Sequence, residues 1–158
     1  MSLTAAAHLN FTGQARAALE FYASVFGGRA TIVTYGDFGM PAGLPDAGKV
    51  VFGQVTADNG FVVMAYDVPG TSGPAPAAPT TRRENGTTIT EERFFLSVRG
   101  TTVEDVSPVW KGLADGGTVI EEFGPVPWAP AFGMVTDRFG VTWIIDVPAG
   151  TSSGTHSG

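Results

Sequence analysis

The chain has 158 residues, a formal net charge of −6, 43% hydrophobic and 11% aromatic residues, and no cysteine. That balance supports a globular body of one domain, or two half-domains sharing a core, and excludes nucleic acid and anionic membrane as partners, since both need a basic face. The missing cysteines remove disulfides, thiol nucleophiles and cysteine-held zinc or iron–sulfur sites; no apolar run of about 18 residues and no signal-peptide pattern is present, so the expected location is the cytoplasm.

Residues 6–11 read as a strand, with Leu9 and Phe11 on one face and His8 and Asn10 on the other. Thr12-Gly13 turns into a helix whose apolar positions Ala15, Ala18, Leu19, Tyr22, Val25 and Phe26 follow helical spacing, and Gly27-Gly28 stops it. A strand over 29–35 leads to a loop, 36–48, whose Phe38 and Met40 either pack on the neighbouring strand or fold back over a pocket. Residues 50–57 and 61–68 form a hairpin turning at Asp58-Asn59-Gly60. Residues 69–90, rich in Pro, Ala, Thr and Gly, read as an irregular connector, with a lid as the alternative.

The second half opens with a strand over 93–98. Thr101 and Glu104 give a capping-box pattern, and Pro108 predicts a short turn and a kink before helix continues to about residue 115. After Gly116-Gly117 come a strand over 118–123, an irregular crossing over 125–130, and a last hairpin turning at Asp137-Arg138-Phe139-Gly140. The tail over 149–158 is expected to be frayed, with His156 exposed. This half repeats the first. Phe52, Gly53, Val55, Thr56 and Gly60 recur as Phe132, Gly133, Val135, Thr136 and Gly140 at an offset of 80. Asp67-Val68-Pro69 recurs as Asp146-Val147-Pro148 after one residue of slip, and the helix positions Ala15, Ala18, Tyr22, Val25 and Phe26 map onto Val103, Val106, Trp110, Leu113 and Ala114 at an offset of 88. A duplication of strand–helix–strand–strand–strand follows.

Two tandem βαβββ units resemble the vicinal oxygen chelate superfamily of glyoxalases, bleomycin-resistance proteins and extradiol dioxygenases, and within it the PhnB-like (demethylubiquinone methyltransferase-like) branch. The residues that carry the resemblance are Phe11-Thr12-Gly13-Gln14-Ala15, Phe21-Tyr22, Phe26-Gly27-Gly28, Val63-Met64-Ala65-Tyr66-Asp67, and the run from Phe132 to Trp143. The resemblance implies an α+β fold in which each module's mixed sheet curls into a half-barrel, with the helices covering the convex face and a ligand held on the concave one. Module 1 would cover about 5–68, a linker 69–91 and module 2 about 92–148, together forming one domain, in a homodimer. By strand alternation, Phe94, Leu96 and Val98, and Trp143, Ile145 and Val147, are expected beneath the second helix, with Arg93, Phe95, Ser97, Thr142, Ile144 and Asp146 on the opposite face.

Metal-dependent members hold a divalent ion with His or Glu from four strands. Here those positions fall near His8, Met64, Arg93 and Ile144, so at most one ligand type survives, and Arg93 would repel a cation. Glu20, Glu91, Glu92 and Asp105 read as solvated. No nucleophile elbow, phosphate-binding loop or dinucleotide fingerprint is present, so the methyltransferase label of the branch has no support in the residues. The expectation is therefore a protein without metal or other cofactor that binds a small organic molecule through His8, Asn10, Met64, Tyr66, Arg93, Phe95, Ser97, Trp128 and Ile144. Alternatives are a divalent-metal-dependent lyase, isomerase or dioxygenase using His8, and a ligand-free scaffold whose cleft is filled by Phe38, Met40 and Trp128.

Overall fold

The computed structural model describes residues 2–73 and 80–150; the expected frayed tail from residue 151 and His156 lie outside the described residues. The chain divides into two compact units, Met1–Ala75 and Pro76–Gly158.

In the first unit, β1 (Ala7–Phe11), α1 (Ala15–Phe26), β2 (Arg29–Thr34), β3 (Val50–Thr56) and β4 (Val62–Asp67) follow in order. The sheet order is β1-β4-β3-β2, with β1 parallel to β4 and the other pairs antiparallel. Helix α1 buries Ala15, Ala18, Leu19, Tyr22 and Phe26 on the sheet, and Gly27 closes it at φ 69° as a left-handed cap.

The second unit begins with two short strands, β5 (Arg82–Glu84) and β6 (Thr87–Ile89). Then come β7 (Leu96–Arg99), α2 (Val103–Ala114), β8 (Thr118–Val126), β9 (Ala129–Thr136) and β10 (Thr142–Val147). Its main sheet has the order β7-β10-β9-β8, again with one parallel pair, β7 with β10. Helix α2 buries Val106, Val109, Trp110 and Leu113. The two helices keep the offset of 88 from first residue to last.

Gly53 and Gly133 recur for a packing reason. A Cβ on Gly53 would lie 2.3 Å from Leu19 Cδ1 of α1, and one on Gly133 would lie 2.8 Å from Trp110 Cζ3 of α2. Each glycine lets its helix settle on a central strand of its sheet. Gly60 and Gly140 recur for a backbone reason: both close three-residue hairpin loops at φ 97° and 86°, where a side chain is strained.

Several expectations are corrected. The curled mixed sheet expected of each module is absent. Each unit has its own four-stranded sheet, open with an edge strand at either side, and neither is curled or closed. Each parallel pair is completed inside its own unit, so no pairing draws the edges together. The connector over 69–90 is not wholly irregular, because β5 and β6 form an antiparallel hairpin within it. The irregular crossing over 125–130 is a tight hairpin, with Val126 opposite Ala129 and Pro127-Trp128 at its tip. The strand expected from 93 begins only at Leu96, so alternation does not reach Phe94, which is 63% exposed rather than under the helix. Helix α2 runs unbroken through Pro108, and its N-cap is Thr102, whose hydroxyl accepts from the Asp105 amide. No helix among the described residues is long and apolar enough to cross a membrane.

Candidate functional site

In the first unit the sheet face away from α1 carries His8 and Asn10 on β1 and Met64 and Tyr66 on β4, with His8 opposite Met64 and Asn10 opposite Tyr66. Leu9, Phe11, Val63 and Ala65, on the α1 face, are buried. The open face continues through Gln54 on β3, opposite Met64, to Phe52, which is 37% exposed. His8 Nδ1 lies 3.2 Å from Asn10 Oδ1, and its ring meets Tyr66 edge-on with centroids 5.3 Å apart. The sequence therefore brings four of its candidate residues onto one surface, an imidazole and a phenol beside an amide and a thioether. Such a surface stacks on flat organic molecules and offers them hydrogen bonds.

The α1 face of this sheet holds a buried carboxylate. Asp67 accepts from the amides of Gly13 (2.8 Å) and Ala15 (3.1 Å) through Oδ1 and from that of Val50 (3.0 Å) through Oδ2. It thereby supplies the N-terminal cap that Gln14 does not give α1. The Tyr35 hydroxyl donates to the Asp67 carbonyl at 2.6 Å. Burial, then the neighbouring Tyr66 and Asp67, holds the Tyr35 phenol above its ordinary value of 10.0.

In the second unit the face away from α2 carries Ser97 opposite Ile144, with Met134 on the next strand, and Thr136 opposite Thr142. The β5–β6 hairpin attaches to this face. The Thr88 hydroxyl donates to Met134 Sδ at 3.6 Å, and the Arg83 guanidinium lies 5.0 Å from the Phe132 ring centroid and 5.9 Å from that of Trp128. Beside the hairpin, Glu92 Oε2 accepts from the Thr81 and Thr142 hydroxyls, the latter at 3.0 Å, and Thr142 is bonded to Thr136 at 2.7 Å. Arg99 and Asp146 make a two-pronged ion pair, both contacts 3.2 Å; that bond and charge raise the Arg99 pKa further.

Candidate residues of this unit scatter more. Arg93 is exposed in a bend before β7, Phe95 is half-buried next to it, and Ser97 and Ile144 form a register pair. Trp128 stands at the hairpin tip, 52% exposed and 5.6 Å from Phe132. Phe38 does not fold inward; it is 74% exposed. Glu92, read as solvated, is tied into a hydroxyl network, and Arg83 was not among the expected residues. The trace of the hairpin in the sequence is Asn85-Gly86, a two-residue turn signal between Arg82-Arg83-Glu84 and Thr87-Thr88-Ile89, and nothing in the sequence marks Glu92. Register pairs His8 with Met64 and Ser97 with Ile144, and none of these pairs brings two ligating side chains together. Among the described residues no group of three or more His, Asp or Glu side chains is placed to hold a metal ion.

The profile of the Glyoxalase/Bleomycin resistance protein/Dioxygenase superfamily matches residues 6–145. The chain belongs to this superfamily. No curated protein matches it. Among solved structures, it is similar to protein PA1353 from Pseudomonas aeruginosa, with 29% identity and a TM-score of 0.68 over 94% of this chain and 100% of that one. A putative 3-demethylubiquinone-9 3-methyltransferase, PhnB protein, from Bacillus cereus shares the fold at 23% identity and a TM-score of 0.66, over 92% of this chain and 99% of that one. The glyoxylase/bleomycin resistance protein/dioxygenase domain from Frankia sp. EAN1pec shares it at 11% identity and a TM-score of 0.60, over 99% and 97%. Superfamily membership makes the fold one that binds small molecules. The sheet faces opposite the helices are where this chain carries its exposed aromatic and polar groups together.

Proposed function

We propose that the chain is a metal-independent binding protein for a small organic molecule, held against the sheet faces that the helices leave uncovered. The observation that carries this reading is the residue set at the paired positions, His8 opposite Met64 and Ser97 opposite Ile144. Neither pair, an imidazole with a thioether or a hydroxyl with an aliphatic chain, supplies the imidazole–carboxylate set a divalent ion takes in this superfamily. On the same face as His8 and Met64 stand Tyr66, Phe52, Asn10 and Gln54, the mixture an organic-ligand surface uses. Assembly as a homodimer belongs to the same reading; light scattering then reads twice the 16.4 kDa chain mass, and a mass of one chain rejects the dimer.

Metal analysis after offering Zn, Ni, Mn and Fe and dialysing is expected to leave only traces. Thermal melts against a panel of small organic molecules are expected to show a rise in Tm with no metal added, because a ligand bound to the native state alone stabilises it. About one metal per chain, lost in His8→Ala, would overturn the proposal in favour of a metal-dependent lyase, isomerase or dioxygenase.

A further inference from the structure

Arg83 is placed unlike the other arginines that the second unit holds in ion pairs. Arg82, Arg99 and Arg138 each face a carboxylate, from Glu84, Asp146 and Asp115. Arg83 faces none. Its Nη1 donates to the Thr88 hydroxyl at 3.0 Å, its guanidinium lies against Phe132 and Trp128, and its Nε is screened from water without an acceptor. The side chain is held by a neutral hydroxyl and two rings, none of which neutralises it.

We infer that Arg83 is the receptor for the anionic group of an aromatic carboxylate, with Trp128 supplying the surface on which the ligand's ring stacks. The carboxylate matches a guanidinium in charge and geometry and supplies the countercharge that the Thr88 hydroxyl and the two rings do not. The aromatic part is assigned from Trp128, which keeps half its surface exposed at the tip of the β8–β9 turn while its edge meets Phe132. The β5–β6 hairpin serves to hold this cation over the sheet, through Thr88 on Met134. This inference rests on small-molecule binding as proposed above and names the ligand's chemical class.

Titration calorimetry of the full chain with 2-naphthoate, and with its neutral counterpart 2-naphthalenemethanol, tests it. Expected is measurable naphthoate binding that weakens as salt rises, falls roughly tenfold or more in Arg83→Gln, and weakens in Trp128→Ala, with little binding of the alcohol. Arg83→Lys keeps the charge without the fork, and is expected to bind at an intermediate level. It also serves as the second variant should the glutamine chain fail to melt cooperatively. Equal affinity for acid and alcohol, unchanged naphthoate affinity in both Arg83 variants, or no binding to a wild-type chain that melts cooperatively would each overturn the assignment. Stabilisation by neutral compounds with none from naphthoate would overturn it too, while leaving small-molecule binding itself standing.

Discussion

At the scale of single residues, the two copies use the same tripeptide for different ends. Asp67-Val68-Pro69 and Asp146-Val147-Pro148 match only after a slip of one position, and in a strand one position reverses the face. Asp67 consequently lies under α1, taking three backbone amides, whereas Asp146 lies on the far face, paired with Arg99. Asp67 is 1% exposed, so removing its carboxylate strands donors that water does not reach. Asp67→Ala is expected to lower stability by about 3 kcal/mol in urea melts, whereas Asp146→Ala, whose partner Arg99 is largely exposed, is expected to change it far less. Equal losses would mean that the three amide contacts of Asp67 contribute no more than the exposed pair of Asp146 with Arg99. The slip was visible in the sequence, but its meaning was not, because only the register says which side of the sheet a carboxylate reaches.

At the scale of elements, the long, apolar and periodic segments were legible and the short polar ones were not. Both helices were readable from their stripes, and the hairpins at 58–60 and 138–140 from their turn residues. Strands β5 and β6 have three residues each, Arg-Arg-Glu and Thr-Thr-Ile, so no apolar period marks them and only the Asn85-Gly86 turn does. Prolines at 125, 127 and 130 masked the β8–β9 hairpin. Pro125 is tolerated because β8 is an edge strand, and Pro127 because it sits in the turn. The candidate site divided in the same way: the β1 and β4 residues fell together because both strands were read in full, while Arg93 fell outside a strand that starts three residues later. Glu92, with Thr81 and Thr142, fastens the segment that begins the second unit onto its sheet. Glu92→Ala is expected to speed hydrogen exchange of the β5–β6 amides about tenfold while leaving those of β9 and β10 unchanged. Uniform acceleration across the unit would show that Glu92 supports the whole sheet rather than its attachment.

At the scale of the whole molecule, the duplication was legible because the repeated glycines perform the same task twice, Gly53 and Gly133 beneath a helix and Gly60 and Gly140 in a turn. That each sheet stays open was not legible, since a repeat specifies what each copy contains and not how its edges end. The copies also differ in what starts their helices. Helix α2 carries its own cap, Thr102 reaching an amide three residues ahead, while α1 draws its cap from Asp67, more than fifty positions downstream. In a chain emerging from its N-terminus, the helix made first must wait for β4 before its end is satisfied, whereas the helix made second can be capped at once. The first half is therefore the one whose helix end is completed by a long-range contact, and the second the one whose helix end is completed locally.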